Sequence, residues 1–120
     1  MPTGRGYLLM AAYVIANIRV TDPEKFERYK VLSTAAVKAH GGRFLVRGGR
    51  SETVEGVWKP NRLTVIEFPS WDAATNYVGS ADYGQAREAR SDAASVDMIV
   101  VEGFYERERT TLAISNTSIW

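Results

Sequence analysis

The chain has 120 residues, which is enough for one domain, and 45% of them are hydrophobic, which is enough for a buried core. The formal net charge is only +1, so nothing attracts the protein as a whole to nucleic acid or to anionic lipid, and we expect neither as a partner. The chain has no cysteine, which excludes disulfides, thiolate metal sites and a cysteine nucleophile.

The amino-terminal stretch is apolar but short. Arg5 and the apolar residues 7–16 resemble a weak signal peptide. Cleavage after Ala12 would leave little hydrophobic sequence upstream, and the run is shorter than the ~20 residues that cross a membrane. We therefore expect a cytoplasmic protein in which residues 1–11 are a disordered lead to a domain at 12–104.

A strand and a long helix come next. Residues 13–20 alternate with period two, and their even positions are all apolar, which predicts a strand with one buried face. Asp22 and Pro23 are typical of a helix start, and the glycine pair after His40 ends that helix. The predicted inner face of the helix consists of Phe26, Tyr29, Ser33, Val37 and His40.

The remaining elements are read from turn signals and apolar runs. In chain order they are a strand at 43–47, an extended or hairpin segment at 52–58, a strand at 62–68, helices at 70–78 and 81–93, and a strand at 96–101. Pro69 ends its strand because it has no N–H to donate, and Ser70 then caps the next helix. We expect residues 105–120 to be a tail or an arm that docks on a partner.

The element order β-α-β-β-α-β predicts an α+β, ferredoxin-like fold with an antiparallel sheet. Right-handed crossovers place the helices on one face of that sheet. The strands are nevertheless apolar on both sides, as in Val65-Ile66 and Ile99-Val100, whereas a sheet with one wet face alternates cleanly. A second copy of the sheet is the economical cover, so we expect a homodimer with two sheets face to face.

Six short motifs form an ordered set over residues 12–104. They are Ala12-Tyr13-Val14-Ile15, Asp22-Pro23-Glu24-x-Phe26-x-x-Tyr29, Gly41-Gly42-Arg43-Phe44-Leu45-Val46-Arg47-Gly48-Gly49, Glu55-Gly56, Arg62-x-x-Val65-Ile66-Glu67-Phe68-Pro69-Ser70, and Ser80-x-x-Tyr83 followed by Arg90. This set resembles a family of the dimeric α/β-barrel superfamily that is known only as a domain of unknown function. The resemblance implies the ferredoxin-like fold and a dimeric barrel, and it implies no particular activity.

Glu67 is the one charge in an otherwise apolar predicted strand. A buried carboxylate is costly unless it is paired. Arg62 lies on the opposite pleat face, so the expected partner is Arg47, Arg90 or a tyrosine hydroxyl, beside a cavity. Glu67 is therefore either a structural ion-pair residue or a catalytic residue in a small-molecule pocket.

His40 is the only histidine of the chain. At the end of a helix it is either a capping residue, because an imidazolium favours the helix dipole, or a catalytic general base with an ordinary pKa of about 6.5. One histidine with scattered carboxylates gives little support for a metal. We therefore expect neither a metal nor a cofactor.

The predicted ligand-binding residues are those expected to face a polar pocket between the helices and the sheet. An arginine offers a rigid fork for a carboxylate or an enolate, and a tyrosine at the edge of the core can turn its hydroxyl to a pocket. The set is Tyr29, Arg47, Arg62, Tyr83 and Arg90.

Two classes of function stay open. The first is an enzyme or a binder that acts on a small polar or anionic organic molecule near Glu67; proteins of this fold include cofactor-free monooxygenases and isomerases of small organic acids. The second is a non-catalytic dimerisation or ligand-sensing domain, whose pocket would be filled by side chains. Haem degradation is a third candidate, with His40 as its only plausible axial ligand. The sequence has no Walker loop, no G-x-G-x-x-G and no G-x-S-x-G, which disfavours nucleotide binding and triad hydrolysis.

Overall fold

The computed structural model describes residues 10–104, which form four strands and three helices. In chain order they are β1 (Ala12–Val20), α1 (Pro23–Ala39), β2 (Arg43–Arg47), β3 (Leu63–Phe68), α2 (Trp71–Val78), α3 (Ala81–Ala89) and β4 (Ala94–Glu102). The strands pair antiparallel in one sheet with the order β2-β3-β1-β4. This is the predicted α+β, ferredoxin-like fold.

The ends of the chain fall largely outside this description. The predicted lead is described only at residues 10 and 11, and the predicted tail at 105–120 lies outside the described residues altogether. No helix between residues 10 and 104 is long and apolar enough to cross a membrane.

The face of the sheet that meets the helices is built from even-numbered residues of three strands. Val14 of β1 lies opposite Ile66 of β3 and Val100 of β4, so the period-two patterns of the three strands coincide. Val14 and Ile66 are buried in the core. The register therefore turns a sequence alternation into one continuous apolar surface under the helices.

Each helix begins at a side-chain oxygen that caps it, as the sequence predicts. The caps are Asp22, Ser70 and Ser80, which accept from the backbone N–H of Lys25 (3.2 Å), Ala73 (3.0 Å) and Tyr83 (3.0 Å), respectively. Helix α1 buries the predicted face from Phe26 to Val37. It stops where Gly41 takes a φ of 78°, a conformation that glycine adopts without strain.

The opposite face of the sheet has an apolar centre with polar residues towards its ends, and the helices of residues 10–104 leave it uncovered. Ile15 and Val65 are half-buried there, whereas Ile99 is 59% exposed and Val101 is 40% exposed. We call this surface the open face. The prediction that the strands are apolar on both sides is confirmed.

The connection between β2 and β3 is long and irregular. The segment at 52–58, predicted to be extended or a hairpin arm, contains no strand. It turns at Gly56, whose φ is 89°, and the Thr53 hydroxyl closes the turn by donating to the Trp58 carbonyl at 2.7 Å. A local turn thus stands where the sequence predicted an extended or hairpin segment.

Candidate functional site

An internal cavity lies between α1 and the sheet. Its volume is about 20 Å³, which is room for roughly one water molecule. Its lining includes the hydroxyl-bearing residues Ser33 of α1, Thr64 of β3 and Tyr77 of α2, and the apolar residues Phe26 and Ile66. The cavity can therefore hold one small polar group inside an otherwise apolar layer.

A wider cleft of about 660 Å³ lies beside the cavity, along α1. We call it the cationic cleft, and its residues are Lys30, Val31, Thr34, Ala35, Lys38, Arg47 and Arg62. Lys30, Arg47 and Arg62 line both spaces, so they mark where the cleft meets the cavity. The lining contains four cations and, among the described residues, no carboxylate.

Arg47 reaches this cleft because β2 contains one extra residue. Phe44 pairs with Ile66 and Arg47 pairs with Thr64, so three steps along β2 correspond to two steps along β3, and Leu45 is the extra residue. Without that bulge, simple alternation from Phe44 would turn Arg47 to the open face. The bulge instead directs Arg47 towards the helices.

The Arg47 side chain is fixed by polar and aromatic contacts. Its guanidinium donates to the Thr34 hydroxyl at 2.7 Å and to the Lys30 carbonyl at 3.3 Å. The same group lies 4.0 Å from the centre of the Phe44 ring, within the range of a cation–π contact. These contacts hold the charge at the mouth of the cavity.

Arg62 directly precedes β3 and, like Arg47, lines both the cavity and the cationic cleft. It packs so closely against Gly48 that a Cβ there would lie 2.9 Å from the guanidinium carbon, and Gly48 also has a φ of 72°. Burial, followed by the nearby charge of Arg62, lowers the pKa of the Arg47 guanidinium. Both arginines line the cavity and the cationic cleft, so two like charges meet there.

The charges of the cleft are mostly uncompensated in the described part of the chain. The ion pairs there are Lys25–Asp92 (3.1 Å), Lys30–Glu27 (2.9 Å) and Arg43–Glu67 (2.7 Å). Only Lys30 among the four cations of the cleft has a carboxylate partner. The cleft is thus a local concentration of positive charge on a nearly neutral chain.

Three tyrosines, one from each helix, meet next to the cavity. We call Tyr29, Tyr77 and Tyr83 the tyrosine cluster; the ring centres of Tyr77 and Tyr83 are 5.1 Å apart. Burial raises the pKa of Tyr29 to about 12, and burial together with Tyr29 also raises the pKa of Tyr77. Both hydroxyls therefore keep their protons at neutral pH. The Tyr77 hydroxyl is buried and makes no hydrogen bond of good geometry among residues 10–104, while the nearby Ser33 side chain partly offsets the rise of its pKa.

Glu67 lies on the open face, away from the cavity. It accepts from Arg43 at 2.7 Å and from the Tyr13 hydroxyl at 3.3 Å, and it lines a shallow depression of about 290 Å³ with Arg43. The predicted contact with a tyrosine hydroxyl is present. The predicted arginine partners, Arg47 and Arg90, are wrong, because Arg43 is the cross-strand neighbour and the bulge carries Arg47 to the other face.

His40 ends α1 and bonds back to its own helix. Its Nδ1 lies 2.9 Å from the Ala36 carbonyl, to which a ring N–H donates. The ring meets Tyr77 edge-on, with centres 5.9 Å apart. His40 lines neither the cavity nor the cationic cleft. These contacts are those of a capping and packing residue, and a catalytic role for His40 stays a prediction.

The structure therefore divides the predicted site residues. Tyr29, Arg47 and Arg62 come together at the cavity. Tyr83 and Arg90 form a neighbouring pair, in which Arg90 donates to the Tyr83 hydroxyl at 3.3 Å. The sequence analysis missed Lys30, Thr34, Lys38 and Tyr77. The first three recur at every fourth residue, so they share one stripe of α1, and that spacing was the available signal. The position of Tyr77 depends on how α2 docks, for which the sequence offers no signal.

Comparisons with known proteins agree with the fold. The sequence profile of a domain-of-unknown-function family, DUF1330, matches residues 11–104. No curated protein matches the chain significantly. Among solved structures, a protein of unknown function from Rhodopseudomonas palustris is 16% identical with a TM-score of 0.64, over 81% of this chain and 85% of that chain.

Two further solved structures share the architecture. SnoaB, a cofactor-independent oxygenase from Streptomyces nogalater, is 14% identical with a TM-score of 0.53, over 82% of this chain and 95% of that chain. A dimeric ferredoxin-like protein of unknown function from Thermobifida fusca is 16% identical with a TM-score of 0.51, over 79% of this chain and 91% of that chain. At such identities the likeness shows the fold alone.

Proposed function

The chain belongs to the DUF1330 family, and we propose that this member binds a small anionic organic molecule between α1 and the sheet. The proposed site is the cationic cleft together with the internal cavity, rather than the depression beside Glu67. Glu67 faces the other side of the sheet and already has a partner in Arg43.

The observation that carries this proposal is the pair Arg47 and Arg62. Arg62 is half-buried, Arg47 is exposed, both line the same two spaces, and neither has a carboxylate partner in the described chain, so their like charges repel one another. An anion between them removes that repulsion and forms charge-assisted hydrogen bonds. A carboxylate suits the planar fork of arginine best.

The cavity adds a second element of recognition. Tyr77 has a buried hydroxyl that makes no well-formed hydrogen bond in residues 10–104, and Ser33, close to it, also lines the cavity. Both groups can donate to a carbonyl or hydroxyl oxygen of the ligand. The cavity of about 20 Å³ admits only such a small group, so the body of the ligand lies in the cleft.

Binding is the function that this geometry supports best. The tyrosine hydroxyls that line the cavity are poor bases, because burial favours their protonated form. The oxygenase activity of the Streptomyces protein therefore remains a property of that protein, and fold likeness does not carry it here.

Titration calorimetry tests the proposal with a panel of small carboxylates and their matched neutral amides. We expect carboxylates to bind and amides to bind much more weakly. Arg47→Gln and Arg62→Gln should each weaken binding by about 10- to 100-fold, since a hydrogen bond to a charged group contributes ~1.5–3 kcal/mol. Arg50→Gln is the matched control, because Arg50 is exposed nearby and lines neither space. Unchanged affinity in both cleft variants would refute the proposal.

We also propose that the protein is a homodimer that buries the open face. The apolar residues exposed on that face support it, as does the description of the Thermobifida protein as dimeric. Sedimentation at micromolar concentration should give twice the chain mass of 13.3 kDa. Ile99→Lys should give a folded monomer, whereas Val31→Lys, an exposed apolar position on α1, should leave the dimer intact. A wild-type monomer would contradict this proposal, and a dimer that binds no carboxylate would favour the non-catalytic dimerisation domain.

A further inference from the structure

A second groove lies at the other edge of the sheet from the cationic cleft. It has a volume of about 280 Å³ and runs between α3 and the edge strand β4. Val96, Met98 and Val100 form its β4 wall, and these even-numbered residues point to the helix side of the sheet. We call it the β4 groove. The cationic cleft lies beside β2, three strands away.

Two arginines give the β4 groove its charge. Arg87 and Arg90 both line it, and neither has a carboxylate within ion-pair distance in the part of the chain that the structure describes. Arg87 lies over the Tyr83 ring, with its guanidinium carbon 5.1 Å from the ring centre. The aromatic face compensates only part of a full positive charge.

Arg90 is the less satisfied of the two. One terminal nitrogen donates to the Tyr83 hydroxyl at 3.3 Å, and the guanidinium carbon lies 5.6 Å from the centre of the Tyr29 ring. Its Nε is buried and has no hydrogen-bond partner among residues 10–104. Arg90 as a whole is half-buried, and an N–H group that is shielded from water and has no acceptor leaves its charge poorly compensated.

We propose that the β4 groove is a separate binding site for a small monocarboxylate with an apolar body. Arg87 is exposed at the groove, and the terminal nitrogens of an arginine form a fork that takes both oxygens of a carboxylate. The valines and Met98 of the β4 wall then cover the apolar body. The volume lies near the lower end of the range of small-molecule pockets, which limits the ligand to a short chain or a single ring.

Nitrogen–proton correlation NMR on the full chain tests this site with benzoate as the probe. Benzamide has the same shape without the charge, and acetate has the charge without the ring. We expect benzoate to shift the amides of Val96, Met98 and Val100 to saturation, with benzamide and acetate binding about tenfold more weakly. Signals from Thr34 and Ala35 report separately on the cationic cleft.

The variants separate the β4 groove from the proposed cleft. Arg87→Gln changes an exposed side chain, so it should fold and should weaken the benzoate shifts on β4 by about tenfold. Arg90→Lys keeps the charge and loses the fork, and it should weaken them at least as much. Arg47→Gln should leave the β4 shifts unchanged, and so should Arg28→Gln, which removes an exposed arginine of α1.

Three results would each overturn the proposal. They are benzoate that shifts no β4 amide, benzoate that binds no better than benzamide, and β4 shifts that keep their affinity in both Arg87→Gln and Arg90→Lys. Because the cleft has its own reporting amides and its own variant, failure of the β4 groove is distinguishable from failure of the cleft.

Discussion

Replacing Tyr77 by phenylalanine removes one hydroxyl and keeps the ring. The ring is fully buried and is held by Phe68 and Tyr83, whose ring centres lie 5.0 and 5.1 Å away. The hydroxyl, by contrast, has no hydrogen-bond partner in residues 10–104. We therefore expect Tyr77→Phe to stabilise the free protein and to weaken binding of a carbonyl-bearing carboxylate.

The size of the expected stability change follows from the burial of the Tyr77 hydroxyl and from the cavity beside it. A buried hydroxyl without a partner costs ~1–3 kcal/mol of folding free energy. The adjacent cavity of about 20 Å³ has room for one water molecule, which would offset part of that cost. The expected gain is therefore ~1 kcal/mol, which raises the midpoint of thermal unfolding of a domain of this size by about 4–8 °C.

Urea unfolding followed by circular dichroism measures the change, and Tyr83→Phe is the matched control. Tyr83 is equally buried, but its hydroxyl accepts from Arg90 at 3.3 Å. Removing that acceptor leaves Arg90 with one hydrogen-bond partner fewer, so Tyr83→Phe should lower the free energy of unfolding by ~1–2 kcal/mol. The two tyrosine-to-phenylalanine changes are thus expected to have opposite signs. Equal losses would show that the Tyr77 hydroxyl is structurally bonded, and would remove it from the proposed site.

Three further predictions concern residues around the site. The pKa of Tyr29 is raised from 10.0 to about 12 in the folded protein, so protonated Tyr29 stabilises the fold fully below pH 10, and this stabilisation is lost as the pH rises to about 12. Tyr29→Phe should therefore flatten the fall of the unfolding free energy over this pH range, as measured by urea unfolding. Glu67→Gln should lower the unfolding free energy of the monomer by less than ~1 kcal/mol, because the partner Arg43 is 73% exposed. It should leave carboxylate binding unchanged, and a loss of binding would make Glu67 a site residue. His40→Asn removes the bond to the Ala36 carbonyl and should cost ~0.5–2 kcal/mol in the same unfolding assay, while a loss of binding at unchanged stability would assign His40 to the site instead.

The fold was predictable because its signals are local and repeat along the chain. Val14 and Ile66 belong to period-two patterns that do not depend on the partner strand, and the cap at Asp22 needs only three following residues. The open face was predictable for the same reason, since Val65 is apolar next to an equally apolar Ile66. Each of these inferences uses residues that are neighbours in sequence.

The site was less predictable because it depends on pairing between strands. Nothing in the letters of β2 shows that Leu45 is an extra residue, and that one residue decides which face Arg47 occupies. The same register decides that Arg43 lies opposite Glu67 and supplies its ion pair. Sequence analysis therefore identified Glu67, Arg47 and Arg62, missed Lys30, Lys38 and Arg43, and assigned Glu67 the wrong arginine partners.

Strand β3 connects the two proposed functions. Its even residues, Thr64 and Ile66, line the cavity, while its odd residue Val65 lies on the open face between them in sequence. In a dimer that buries the open face, the partner would pack against the outer side of β3. This contact would limit the motion of the cavity wall without touching the ligand. Because Arg62 directly precedes the strand, the position of one half of the arginine pair depends on the same support. Pairing of two copies would in this way preorganise the anion site, since a cation held in place loses less entropy on binding than a mobile one.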